Sequence, residues 1–351
     1  MPGTMVVVLG AGASYDCATA ADDLMINRTL QPPLVTGLFG FQFQPVLGVY
    51  QPVAQAAPEL RAIGDSKAFE QVVREQYRDS ANTYDRRTFR SMPLYLQHLF
   101  WNISWNYTRQ ADHYEQLVRT LLRRFDEVIF VTLNYDLLLD RVLSELDPIE
   151  RLGDYVGRVK PWRLIKLHGS VNWGRPMLMD FDPQVEPEDE FLAKTFDRVE
   201  EGWFRQLGPI QLLPTAAGRT LRELRYSTFI NKPHLVYPSL SVPVGEYGEF
   251  SCPPEHLDWL RDRLRALGQA NLMMIGYSGA DEEVMSLLGE YCEGLQSLCV
   301  VDPSEATAMR MMEHLTEGLF NMVPSRDYVE TLTFQSFVQT RLSGYLGALP
   351  D

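Results

Sequence analysis

The sequence predicts an α/β protein with a doubly wound, mostly parallel sheet that carries helical insertions. Three observations predict it. Short β-branched apolar runs end in Gly, Asn or Asp, or just before a His; helical patterns lie between several of these runs; and residues able to do chemistry cluster where the runs end.

The runs are Val6–Leu9, Val128–Leu133, Leu164–Leu167, Leu272–Ile275 and Leu298–Val301. Continuous apolar runs of this length, bounded by turn residues, suit parallel strands covered on both faces. His113–Phe125 repeats apolar residues at Leu117, Val118, Leu121 and Leu122, a helical spacing, and Leu137–Leu146 follows the second run. His256–Leu267 precedes the fourth run and Asp281–Leu288 follows it. The expected organisation is one domain over 1–351 with two interruptions. Residues 40–125 read as a Gln/Pro/aromatic loop followed by a largely helical insertion, with Phe69–Tyr77 and Tyr95–Trp105 as its core-facing parts. Residues 174–236 read as an acidic surface insertion: Met177–Glu201 holds nine acids against Lys194 and Arg198.

Composition excludes several classes. A net charge of −14 with no Lys/Arg run argues against direct nucleic-acid binding, which needs a basic surface. No apolar stretch approaches the roughly 18 residues of a membrane span, so no membrane association is expected. The start of the chain lacks the pattern of a secretory signal. Cys17, Cys252, Cys292 and Cys299 are scattered and form no C-x-x-C pair, which fits free thiols in a reducing cytoplasm and gives a zinc site no support.

Four motifs carry chemistry. Val6-Val7-Val8-Leu9-Gly10-Ala11-Gly12-Ala13-Ser14 is a strand entering a G-x-G turn, where small residues let the backbone approach a pyrophosphate. Taken alone it reads equally as a tight turn. A dehydrogenase fingerprint would place a third Gly where Tyr15 stands and an acid near Gln31-Pro32-Pro33, so hydride transfer is disfavoured. Thr132-Leu133-Asn134-Tyr135-Asp136 delivers Asn134 at a strand end, able to hold a ribose hydroxyl or a water without adding charge. Asp136 reads equally as a helix cap or a ligand.

Leu164-Ile165-Lys166-Leu167-His168-Gly169-Ser170 places His168 as a candidate general base, with room beside Gly169 for a sugar and Ser170 or Asn172 to orient the ring. Gly276-Tyr277-Ser278-Gly279 and Val301-Asp302-Pro303-Ser304 end the last two runs. Gly276 and Ser278 offer close approach to the adenosine half of a dinucleotide, and Asp302 an acceptor for a ribose hydroxyl; a tight turn and a helix cap are the plainer readings.

In this order, G-A-G-A-S, T-L-N-Y-D, L-H-G-S, G-Y-S-G and V-D-P-S resemble the NAD-binding core of the sirtuins, over about a third of the chain. The resemblance implies a Rossmann-like sheet, and Gly10, Ala11, Gly12 and Ser14 at the pyrophosphate. It further implies Asn134 and Asp136 in the nicotinamide–ribose pocket, His168 as base, and more loosely Gly276, Ser278 and Asp302 as cofactor contacts. Two features depart from the protein-deacylating members: no cysteine lies between Cys17 and Cys252, where they carry a zinc module, and Leu133 stands where they have Gln. Both look like the bacterial sirtuin-like effectors of anti-phage defence, which hydrolyse NAD. The resemblance therefore implies NAD as substrate, no metal, and catalysis by Asn134 and His168. It also implies a homo-oligomer or a separately encoded partner such as a HerA-type ATPase or an Argonaute-like protein. Two rival readings are an NAD-dependent deacylase or ADP-ribosyltransferase, and a non-catalytic NAD or ADP-ribose sensor.

Overall fold

A computed structural model describes residues 3–16, 31–64, 66–106, 112–157, 160–178, 205–206, 208–213, 226–229, 232–242, 251–267, 270–279, 281–291, 295–313, 315 and 326–349. Its strands are β1 (Thr4–Leu9), β2 (Glu127–Thr132), β3 (Trp162–Lys166), β4 (Gly169–Leu178), β5 (Arg205–Gln206), β6 (Gln211–Leu212), β7 (Tyr226–Phe229), β8 (Lys232–Leu240), β9 (Ala270–Ile275), β10 (Leu295–Val301) and β11 (Arg326–Glu330). Its helices are α1 (Ala11–Asp16), α2 (Gln44–Leu47), α3 (Gln51–Arg61), α4 (Ser66–Val72), α5 (Thr83–Asn106), α6 (Asp112–Arg124), α7 (Leu138–Leu146), α8 (Pro254–Ala266), α9 (Glu282–Tyr291), α10 (Glu305–Glu313), α11 (Phe334–Thr340) and α12 (Leu342–Ala348).

The main sheet has six strands, all parallel, in the order β11-β10-β9-β1-β2-β3. The expected α/β class with a doubly wound parallel sheet is what the chain adopts. Strand β1 is its hub: Val6 pairs with Ile129 on one side and Leu272 on the other. From β1 the order runs outward in both directions, so the crevice between the ends of β1 and β9 is the topological switch point where such sheets bind ligands. Strands β1, β3 and β9 are buried along their whole length, as a sheet covered on both faces requires.

A second sheet is antiparallel, in the order β5-β4-β8-β7, with β6 pairing to β4. It occupies part of the segment expected to be a plain insertion; the acidic run itself, from Asp180 to Glu201, lies outside the described residues. The chain crosses from β3 to β4 through Leu167 and His168 alone. At Gly169, φ is +83°, and a Cβ there would collide with the Ser239 carbonyl. Backbone geometry and the neighbouring strand therefore demand this glycine, not space for a sugar.

The Gln/Pro stretch expected to be a loop is helical instead. Pro45 and Pro52 sit in the first turns of α2 and α3, where a missing N–H costs nothing. The helical segment from α2 to α5 and the turns before α2 and α3 bury Phe43, Tyr50, Phe69, Tyr95 and Trp101 against Val171, Leu235 and Val236 of the second sheet, a core separate from that of the parallel sheet. Among the described residues, no helix is long and apolar enough to cross a membrane. Cys252 and Cys299 are buried free thiols; Cys17 and Cys292 lie outside the described residues.

Candidate active site

The two cores enclose a cavity of about 920 Å³ at the C-terminal ends of β1, β2, β3, β9 and β10. The residues expected as catalytic or cofactor contacts line it: Gly10, Ala11, Gly12 and Ser14 after β1; Asn134 and Asp136 after β2; His168 after β3; Gly276 and Ser278 after β9; Asp302 after β10. The helical side supplies the opposite wall, including Leu34, Phe89 and Phe100, with Glu70 from α4 and Arg78 from the π-helical turn that follows it. The sequence reading missed Glu70 and Arg78, because a half-buried charge on a helix looks like any solvated one.

Asn134 is held rigidly. Its side chain is 8% exposed, and its Nδ2 donates to the Gly10 carbonyl at 2.9 Å and to Ser14 Oγ at 2.9 Å. A backbone carbonyl can only accept, so this contact fixes which end of the amide is which. The backbone N–H of Asn134 is spent on Thr132 Oγ1 at 3.1 Å. Among the described residues Oδ1 is left without a partner, and it is the end of the amide open to a ligand.

Ser14 is 1% exposed, and its hydroxyl also meets Tyr114 Oη at 3.0 Å. The hydroxyl thus orients Asn134, a duty the sequence did not reveal. The glycines likewise have a structural task. Gly12 N–H donates to the Gly276 carbonyl at 2.9 Å, and Ala13 N–H to the Gly10 carbonyl at 3.0 Å. A Cβ at Gly10 would strike the Gly276 carbonyl, and one at Gly12 would come within 2.8 Å of Gly276 Cα. These two amides are therefore unavailable to cradle a phosphate, and the small residues are set first by one turn packing on the other.

Asp136 accepts the Leu138 N–H at 3.0 Å through Oδ1, so the cap expected from its place in the sequence is made. Burial raises its carboxyl above the usual range, against the opposing pull of Lys166 and of the Ser14 hydroxyl. Lys166, at the end of β3 and 1% exposed, donates to the Asp136 carbonyl at 2.5 Å and to Asp140 Oδ2 at 2.8 Å. Tyr155 donates to the other oxygen of Asp140 at 2.7 Å. This buried ion pair ties the end of β3 to α7 and to the Asp136 backbone. Asp302 accepts the Ser304 N–H at 2.8 Å, and burial raises its carboxyl in turn.

His168 Nε2 lies 2.7 Å from Asp281 Oδ2. The group on the ring is Asp281, not the Ser170 or Asn172 that the sequence offered. The Tyr135 ring stacks on the imidazole at 6.4 Å between centroids, while its hydroxyl donates to the Ser241 carbonyl at 2.7 Å. The site therefore brings an oriented amide oxygen and a paired imidazole to one concave wall. Among the described residues no group of His, Cys, Asp and Glu is placed to hold a metal.

No family model matches the chain, and no curated protein does. Similar solved structures include a sirtuin studied for substrate affinity (TM-score 0.38, 14% identity, covering 97% of this chain and 93% of that one). A Sir2 enzyme studied for mechanism and regulation has TM-score 0.36, 14% identity and coverage of 96% and 90%. Sir2 bound to an inhibitor, 2′-O-acetyl-ADP-ribose and a deacetylated peptide has TM-score 0.34, 13% identity and coverage of 98% and 94%. At these scores the likeness carries no argument. The fold rests on the chain's own sheet, and its chemistry on its own side chains.

Proposed function

We propose that the chain is an NAD glycohydrolase, cleaving NAD to nicotinamide and ADP-ribose with Asn134 and His168 as its catalytic residues. The observation that carries this reading is the oriented amide: Nδ2 of Asn134 is consumed by Gly10 and Ser14, so Oδ1 is the end presented to a ligand. Breaking the C1′–N bond of the nicotinamide ribose sends its electron pair to the departing ring and leaves an oxocarbenium-like carbon. The negative end of a fixed dipole stabilises that carbon, and the same oxygen can accept a hydrogen bond from the attacking water. His168 takes the water's proton, directly or through a ribose hydroxyl, and the new C1′–O bond completes ADP-ribose. The scheme needs no metal.

The ordering of the cavity supports a dinucleotide running from Asp302 and Ser278 at one end, past Gly10–Ser14, to Asn134 and His168 at the other. The test is to incubate purified protein with NAD and resolve the products. Free ADP-ribose and nicotinamide without any peptide support hydrolysis. Turnover only with an acylated peptide or a protein acceptor points to the deacylase or transferase reading, and binding without turnover to a sensor.

From the sequence resemblance we further propose a cytoplasmic anti-phage effector that starves the infected cell of NAD. It would act as a homo-oligomer or with a separately encoded partner such as a HerA-type ATPase or an Argonaute-like protein. Mass measurement in solution alongside the assay tests this, and a fully active monomer would count against it.

A further inference from the structure

We infer that Asp281 is a positioning residue that sets the tautomer of His168, keeping the proton on Nε2 so that Nδ1 is the nitrogen that accepts the proton during catalysis. The inference rests on the proposed NAD cleavage for its consequence, but its physical content is independent of it.

A carboxylate accepts and never donates, so the 2.7 Å contact between Asp281 Oδ2 and His168 Nε2 requires the hydrogen on Nε2. Neutral imidazole carries one N–H, which leaves a lone pair on Nδ1. Among the described residues no hydrogen bond reaches Nδ1. The two oxygens of Asp281 have separate duties: Oδ1 accepts the Val284 N–H at 3.0 Å in the first turn of α9, while Oδ2 faces the ring. That cap fixes the carboxylate's rotation, and the positive end of the helix favours its charge. Tyr277 donates to the backbone carbonyl of Asp281 at 3.1 Å and anchors the residue from below. The imidazole is thus held at its edge by Asp281, on its face by Tyr135, and through its own carbonyl by Ser241 N–H at 3.0 Å.

The substitution Asp281→Asn separates this role from a structural one. Asparagine caps a helix as well as aspartate does. Its amide would donate to Nε2 and so force the proton onto Nδ1, the wrong tautomer for the base. Turnover of NAD should fall by on the order of 10²- to 10⁴-fold, the worth of a general base, with KM changed less than about threefold. The melting midpoint should hold. Nitrogen-15 spectra of histidine-labelled protein, with the His168 signal assigned by His168→Gln, should show Nε2–H in the wild type and Nδ1–H in the variant.

Wild-type turnover in Asp281→Asn, or an Nδ1–H wild type, would overturn the inference. If the wild type does not cleave NAD, the functional reading falls, and the nitrogen spectra alone decide the tautomer claim. If Asp281→Asn fails to fold, Asp281→Ser keeps a capping hydroxyl without reaching the ring. It should give mixed tautomers and a smaller loss of turnover than Asp281→Asn, set by the fraction of His168 left as Nδ1–H; a pure Nε2–H signal would refute the assignment.

Discussion

The side-chain amide of Asn134 donates to the carbonyl of Gly10 at 2.9 Å, tying the end of β2 to the turn after β1. Replacing it with alanine removes the open Oδ1 and leaves that carbonyl with the Ala13 N–H alone. Asn134→Ala should lower NAD cleavage by about 10²- to 10³-fold, as losing one fixed dipole in an active site does. It should also destabilise the fold by about 0.5–1.5 kcal/mol for each hydrogen bond lost, since Gly10 and Ser14 keep their other partners. Product chromatography and chemical denaturation read the two effects separately.

In the proposed reaction Ser14 would act through Asn134, whose Nδ2 it holds at 2.9 Å. Ser14→Ala should reduce kcat more than it raises KM, because the alanine no longer holds Nδ2 while the turn that packs on Gly276 remains. Steady-state kinetics check this, and a pure rise in KM would assign the hydroxyl to substrate binding instead.

Gly276 has φ +58°, and a Cβ there would strike the Ala13 amide. Gly276→Ala should therefore destabilise the protein by at least about 1–3 kcal/mol, the cost of one strained backbone residue, with the clash adding to it. The effect is expected with or without ligand and is read as a lowered thermal midpoint.

Asp136 predicts a pH dependence. Burial raises its carboxyl in the folded state, so folding favours the protonated form. The group is neutral in both states below the unfolded value of about 3.9 and costs nothing there. As pH rises from that value through the folded one, the unfolded chain ionises first and stability is lost. Asp136→Asn keeps the acceptor for Leu138 without the charge. Its thermal midpoint should exceed that of wild type at neutral pH, and the gap should close towards pH 4. A constant gap across the range would refute the assignment.

The parallel sheet was legible in the sequence because buried parallel strands write continuous apolar runs, and each of the five runs named there falls on a strand of that sheet, two of them ending one residue past it. Strand β11 was not, since Arg-Asp-Tyr-Val-Glu at a sheet edge shows no such run. The antiparallel sheet escaped because its strands carry Pro176, Pro233 and Pro238 and pair across long gaps in the sequence. The cavity gathers the catalytic and cofactor candidates picked at strand ends, yet what holds them was not legible in the chain. Asp281 lies 113 residues from His168, and its place before a helix displays only a capping role. Lys166 looked like part of an apolar strand, although its ammonium is buried against Asp140.

The place of β1 bears on how the chain is made. Its two edges are satisfied by β2 and by β9, and β9 begins only at Ala270. A nascent chain leaving the ribosome therefore exposes Met5-Val6-Val7-Val8-Leu9 with at least one bare edge until β9 has been synthesised. Such a run is an aggregation hazard while it waits, and closure between such distant segments is slow. The turn bearing Gly10 reaches its final form only when Gly276 arrives, so the cavity cannot exist before that segment has been made.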